Sequence, residues 1–240
     1  MIDKAKLIAY AADYGVTVDD TAAERLDVYA RMLADWNTRM NLTAITDADG
    51  ILLKHFVDSL TALPLLPAGA CSLIDVGTGA GFPGVPLALV RGDMRLTLLD
   101  SLNKRLVFLK ELCAAVKLPV TLIHARAEEG GRQAALREQF DVATARAVAA
   151  LPTLCEYCLP FVRVGGRFIA MKGPDSDGEV EAARHAADLL GGSIREVCDL
   201  QLPNSPTDGQ YGRRLIVVEK TAATSANYPR PSAKIAKQPL

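Results

Sequence analysis

The sequence predicts an α/β fold: a mostly parallel sheet, a helical segment in front of it, and an antiparallel hairpin closing it. Three observations carry this expectation. From residue 71 onward, short apolar runs alternate with helical stretches, the pattern of a parallel sheet with right-handed crossovers. The first run opens into a glycine cluster, "LIDVGTGAGFPGVPLALV" at residues 73–90. The last two, "IREVCDLQLP" and "RRLIVVEK", have little helix between them and read as a hairpin.

Residues 1–70 read as an all-helical N-terminal region. Leu26, Ala30, Leu33, Trp36 and Met40 step at helical spacing, as do Leu52, Phe56, Leu60 and Leu63 after the turn "TDADG". Pro64 and Pro67 close the region. The strands expected in residues 71–220 are "SLIDV" (72–76), "RLTLLD" (95–100), "VTLIH" (120–124), "FDVATA" (140–145) and "RFIAMK" (167–172). Between the second and third lies a helix marked by Leu102, Leu106, Leu109, Cys113 and Val116, with Ser101 as its expected N-cap. Residues 221–240 lack periodicity and read as a basic, mobile loop.

With 50% hydrophobic and 23% charged residues, the composition is that of a soluble globular chain. No apolar run nears the roughly 20 residues that span a membrane, and the first residues lack a signal-peptide core, so a cytoplasmic protein is expected. Five scattered cysteines fit reduced thiols, with Cys155 and Cys158 as buried helix-face residues rather than half a zinc site. No metal is expected. The net charge of −1 gives no global attraction to nucleic acid, but it is unevenly spread. Residues 1–70 hold 6 Lys/Arg against 10 Asp/Glu, whereas residues 211–240 hold 6 against 1.

A glycine loop after a first strand lets a nucleotide-like ligand approach the backbone at the next helix N-terminus. "GAGFPG" satisfies the dinucleotide fingerprint, so a nicotinamide-dependent oxidoreductase has to be weighed. Against it, Pro83 and Pro86 remove N–H donors where a pyrophosphate needs them. S-adenosylmethionine fits better: it carries no phosphate, and its two cationic centres suit an acid such as Asp75, placed before Gly77, Gly79 and Gly81. Asp100, 23 residues past Gly77, stands near the spacing of about 20 expected for a ribose-binding acid, with Ser101 beside it. Ala127 and Glu128, after the third strand, are placed to meet the adenine ring. An arginine at the end of a buried central strand is costly unless paired or ligand-facing, which marks Arg146 as a site residue.

The blocks "NLTAITDADGILLKHFVDSL" (41–60), "IDVGTGAGFPGVPLA" (74–88), "RAEE" (126–129), "ATARAVAALP" (143–152) and "YPRPSAKIAKQPL" (228–240) occur in one order along the chain. Together they resemble the RsmG family, also called glucose-inhibited division protein B. The resemblance implies a class I, Rossmann-like methyltransferase fold with a helical N-terminal extension. It implies S-adenosylmethionine-dependent methylation of N7 of one guanine in bacterial 16S rRNA, as free rRNA or within the small ribosomal subunit, by a monomer. Cofactor contacts would then fall on Gly77, Phe82, Ala127, Glu128 and Arg146, the last also as the catalytic residue. Arg39, Lys54, Lys172, Arg230, Lys234 and Lys237 are the expected RNA-binding cations. The tail departs from the family pattern at Pro231, Ala233 and Ile235.

The chemistry that is absent points the same way. No N/D-P-P-Y/F motif follows the fourth strand, as amine methylation would need, and no proline-cysteine loop is placed to attack a pyrimidine. His55, His124 and His185 form no cluster. Guanine N7 needs neither device nor a general base, because its lone pair is free. A non-catalytic ribosome-binding protein on the same fold is the other alternative.

Overall fold

The computed structural model describes residues 1–174, 176–205 and 209–240. Helices α1 (Lys4–Ala12) and α2 (Asp20–Met40) open the chain, each started by an aspartate. Asp3 accepts from the Lys6 amide and Asp19 from the Ala22 amide, the usual way to satisfy orphan N–H groups at a helix start. A third helical stretch follows in three parts: α3 (Ala48–Gly50), a π-helical segment Ile51–Val57, and α4 (Asp58–Leu60). Asp47 caps it through the Gly50 amide. Asp27 accepts from the Ile2 amide. Part of the N-terminal acidity therefore serves helix starts and a buried amide, although Asp3, Asp19 and Asp47 remain exposed.

The sheet has seven strands in the order β3-β2-β1-β4-β5-β7-β6. They are β1 (Cys71–Val76), β2 (Met94–Asp100), β3 (Val120–His124), β4 (Phe140–Arg146), β5 (Val162–Lys172), β6 (Gly192–Ser205) and β7 (Gly209–Lys220). The first five pair in parallel; β7 pairs antiparallel with both β5 and β6. Both halves of the sequence expectation therefore hold, the parallel sheet and the closing hairpin. That hairpin separates this sheet from the dinucleotide-binding order 3-2-1-4-5-6. The connecting helices are α5 (Gly84–Val90), α6 (Asn103–Ala115), α7 (Ala127–Gly130), α8 (Leu151–Cys158) and α9 (Asp177–Leu189).

The N-terminal helices and one face of the sheet share a single core, in which Leu26, Tyr29, Leu33 and Phe56 pack with Leu73, Val85, Leu98 and Phe108. Cys155 and Cys158 are buried in the core of the opposite face, as expected of helix-face cysteines. Burial pushes the Cys155 thiol up to about 12, well out of the reactive range.

Two local expectations change. Ser101 does not cap α6: Leu102 holds that position, and its amide donates to Asp100 Oδ1 at 2.8 Å. That bond holds the chain where it enters the helix, and no side chain among the described residues caps the amides of the first turn. The tail is not all loop either. It forms α10 (Ser232–Lys237) with Ile235 buried, and six residues are too few to show a helical period.

Candidate active site

The sheet order reverses between β1 and β4, and ligands of open α/β sheets bind outside the carboxyl ends of strands at such a point. A cavity of about 340 Å³ opens there, lined among others by Gly77, Asp100, Ser101, Ala127, Glu128 and Tyr157. Five residues chosen from the sequence thus meet on one cavity. Gly77 has φ +69°, which favours glycine, and a Cβ there would stand 2.9 Å from Val148 Cγ2 and displace that side chain.

Two carboxylates face this cavity. Asp100, 2% exposed, accepts from the Gly79 amide at 2.9 Å and from Arg105 Nη1 at 3.2 Å, besides the Leu102 amide. It therefore holds the glycine loop in place as well as offering its remaining lone pairs to a ligand hydroxyl. Glu128 is 6% exposed, and its Oε1 is buried without a hydrogen-bond partner among the described residues. With Arg126 Nη1 no nearer than 3.9 Å, this acceptor on a ligand-sized cavity has room for a donor from the ligand, as a ribose or an adenine amine provides. The residues present fit S-adenosylmethionine.

Asp75, Gly79, Gly81 and Phe82 are not among the residues on the cavity wall. Asp75 is fully buried beneath the loop, where its carboxylate accepts from Thr78 Oγ1 at 2.7 Å, the Gly84 amide at 3.0 Å and Thr144 Oγ1 at 3.1 Å. Instead of meeting a ligand cation, it staples the glycine loop to β4. Gly81, at φ +106°, admits Tyr29 and Leu109, each within 2.9 Å of where a Cβ would stand. Phe82 stacks on Tyr29 at 5.1 Å and on His55 at 4.4 Å, joining the loop to the N-terminal helices.

Arg146 leads to a second cavity, of about 310 Å³, which adjoins the first at Ala147 and is lined by Lys54, His55, Asp58, Lys172 and Arg213. Ala147 lies at φ +55°, in the left-handed region where a non-glycine residue is strained, as is common at functional sites. Arg146 Nη1 donates to Asp58 Oδ2 at 2.8 Å, and Arg213 Nε donates to the other oxygen, Oδ1, at 2.9 Å. Asp58 is 3% exposed in its side chain. The guanidinium of Arg146 also lies 4.9 Å from the centre of the Phe82 ring. Lys172 donates to the Ala149 carbonyl and pairs with Glu179 at 2.8 Å.

Among the remaining expected cations, Arg39 pairs with Asp35 at 2.6 Å and lies over Trp36, on the exposed side of α2. Lys234 and Lys237 are exposed on α10. Arg230 is a correction. Its side chain is only 11% exposed and its guanidinium is bound to the buried Glu156, so it presents no free charge to a phosphate.

Asp58, His55, Arg105, Arg213 and Tyr157 were not anticipated. One signal was available: His55 and Asp58 stand three apart inside the apolar run "ILLKHFVDSL", so both share the buried side of a helix and need partners there.

Two of these buried groups oppose each other in pH. Burial raises the Asp75 carboxyl from 3.8 to about 6 despite its three hydrogen bonds. Burial, reinforced by the Arg146 charge, lowers the His55 imidazole from 6.5 to about 3. Between roughly pH 4 and 6 the fold keeps a proton on Asp75 that the unfolded chain has released, so that contribution to stability vanishes as pH rises through 6. His55 acts in reverse: the unfolded chain takes a proton below 6.5 that the fold refuses, so stability is lost as pH falls toward 3. Asp75→Asn should therefore show a urea midpoint that rises more steeply with pH from 4 to 6 than that of the parent, and His55→Gln a less steep one. Parallel profiles would contradict both assignments.

The fold is that of the Rossmann-like methyltransferases. A methyltransferase from Pyrococcus furiosus superposes with a TM-score of 0.56 over 83% of this chain and 100% of its own, at 14% identity. M. jannaschii TYW2 in complex with AdoMet does so at 0.56, over 75% of this chain and 80% of its own, also at 14% identity. The family is narrower. Residues 22–204 match the family described as GidB, rRNA small subunit methyltransferase G. A ribosomal RNA small subunit methyltransferase G from Acetivibrio thermocellus is 47% identical over 98% of this chain and 95% of its own length. Its namesake from a Roseiflexus species is 44% identical over 98% of both. The chain belongs to the rRNA small subunit methyltransferase G family.

Proposed function

We propose that this chain transfers the methyl group of S-adenosylmethionine to N7 of one guanine in bacterial 16S rRNA. The observation that carries the reading is the pair of cavities meeting at Ala147, one lined by Asp100 and Glu128, the other by Lys54, Arg146, Lys172 and Arg213. The cofactor, when bound, supplies an electrophilic methyl whose bond to sulfur breaks as the N7–carbon bond forms, the positive charge passing to the guanine ring. Asp100 and Glu128 offer acceptors to a ribose and an adenine. The cationic cavity suits a nucleotide with its phosphate, and sequence relatives carry an rRNA methyltransferase name.

N7 is favoured because the described residues of the second cavity offer no base for removing a proton. His55 is hydrogen-bonded to Thr43 Oγ1 at 2.8 Å and contacts Arg146 through Nδ1 at 3.3 Å. Asp58 is neutralised by two arginines. N7 has no proton to lose, so catalysis reduces to positioning and exclusion of water, effects that can supply roughly 7–11 kcal/mol. The small subunit or its free RNA is the partner in this reading.

Methylation at N7 makes the nucleotide labile to borohydride and aniline. Small-subunit rRNA from cells with and without the gene should differ by one such cleavage, restored in vitro by the purified protein. Arg146→Ala protein, folded by circular dichroism, should not restore it. Identical cleavage in both strains, or label recovered on a pyrimidine or an exocyclic amine, would overturn the reading.

A further inference from the structure

The C-terminal segment lies against the elements that wall the first cavity. Arg230 makes four hydrogen bonds to Glu156 on α8: its backbone N–H and Nε reach Oε1 at 2.7 and 2.9 Å, while Nε and Nη2 reach Oε2 at 3.2 and 2.6 Å. The Glu156 side chain is 1% exposed. A buried carboxylate without its partner is strongly unfavourable, so the position of α8 depends on Arg230. The next residue on α8, Tyr157, lines the cavity.

A second guanidinium ties the same segment to the turn after α7. Arg137 Nη1 donates to the Gly131 and Tyr228 carbonyls at 2.9 Å each, and Nη2 to the Thr224 carbonyl at 2.7 Å. Pro229 Cγ lies 3.2 Å from where a Cβ on Gly131 would stand, so the strap sits tightly on that turn. At the rim, Arg126 lines the cavity and donates to Ser232 Oγ at 3.3 Å. Helix α7 carries Glu128 and packs on α8.

We propose that Arg230 is a positioning residue for cofactor binding. Through Glu156 it fixes α8 and α7, and with them Tyr157 and Glu128, around one end of the first cavity. The tail is then a cofactor strap, and its deletion weakens cofactor binding before it touches RNA affinity. This rests on reading that cavity as the S-adenosylmethionine site.

Full-length parent, Arg230→Ala, Arg230→Lys, Glu156→Gln and the Arg230→Ala/Glu156→Gln double variant are titrated with S-adenosylmethionine by calorimetry. Each is also titrated with a short single-stranded RNA across a salt series. Arg230→Ala should bind the cofactor at least tenfold more weakly, and its KM for the cofactor should rise with kcat and the KM for RNA unchanged. Arg230→Lys should be intermediate, since a single ammonium replaces a fork. The double variant should regain part of the loss, because the buried charge is gone.

Parental cofactor affinity in Arg230→Ala overturns the proposal. So does an RNA log–log salt slope smaller by about 0.7 with cofactor binding unchanged, which would make Arg230 a phosphate ligand. If Arg230→Ala does not fold, Glu156→Gln decides: it should retain the acceptor but weaken cofactor binding, and unchanged affinity overturns the strap. If the parent itself fails to bind S-adenosylmethionine, the cofactor reading falls. Amide exchange over residues 127–130 and 151–158 then judges the strap alone: selectively faster in Arg230→Ala supports it, unchanged refutes it.

Discussion

Replacing Asp58 by alanine is expected to abolish methyl transfer and to lower stability by about 3 kcal/mol, the lower end of the range for breaking a buried ion pair. Asp58 is the anion between Arg146 and Arg213. Without it two guanidinium groups face each other across the second cavity. Arg146 also loses one of the contacts that keep it over Phe82. Asp58→Asn keeps the size and one acceptor, so it should fall between the parent and the alanine variant in both measurements. Urea unfolding and incorporation of labelled methyl into small-subunit RNA check this. A folded Asp58→Ala protein with parental turnover would remove Asp58 from the site.

Gly77→Val should weaken S-adenosylmethionine binding by about 10- to 100-fold. A branched residue forced to positive φ costs of order 1–3 kcal/mol, and each 1.4 kcal/mol is a factor of about ten. The collision with Val148 adds to that, since either the loop or the Val148 side chain must shift at the cavity that both residues line. Gly92→Ala is the control, since nothing stands within 4 Å of a Cβ there and its φ is ordinary. Calorimetric titration of both variants distinguishes a requirement of the loop from a general cost of losing glycine. Equal affinities for the two would refute it.

The sheet was legible because its inner strands are short, mostly apolar runs buried on both faces, such as Leu96, Leu98 and Leu99 in β2. The first cavity was legible for a related reason. Strand ends and the glycine loop lie at fixed sequence offsets, so Gly77, Asp100, Ser101, Ala127 and Glu128 could be placed by counting. Asp75 was misplaced by the same method, because spacing tells where a residue sits along the chain but not which side of the loop its carboxylate faces. The second cavity was legible only through its cations Lys54, Arg146 and Lys172; the carboxylate that organises two of its arginines was not. Asp58 and Arg213 are 155 positions apart, and nothing local to either announces the other. The π-helical winding of Ile51–Val57 is equally silent in composition, yet it carries Lys54 and His55 into the cavity wall.

The distance between Asp58 and Arg213 also has a meaning in time. A chain is made from one end, so the carboxylate is synthesised 155 residues before its second counterion. Until β7 joins the sheet, Asp58 has Arg146 as its counterion but not the second guanidinium. Both oxygens of Asp58 are matched to an arginine only when the hairpin closes. The hairpin thus completes the cavity last, and a chain stopped before β7 would lack the second of the two guanidinium groups that hold Asp58.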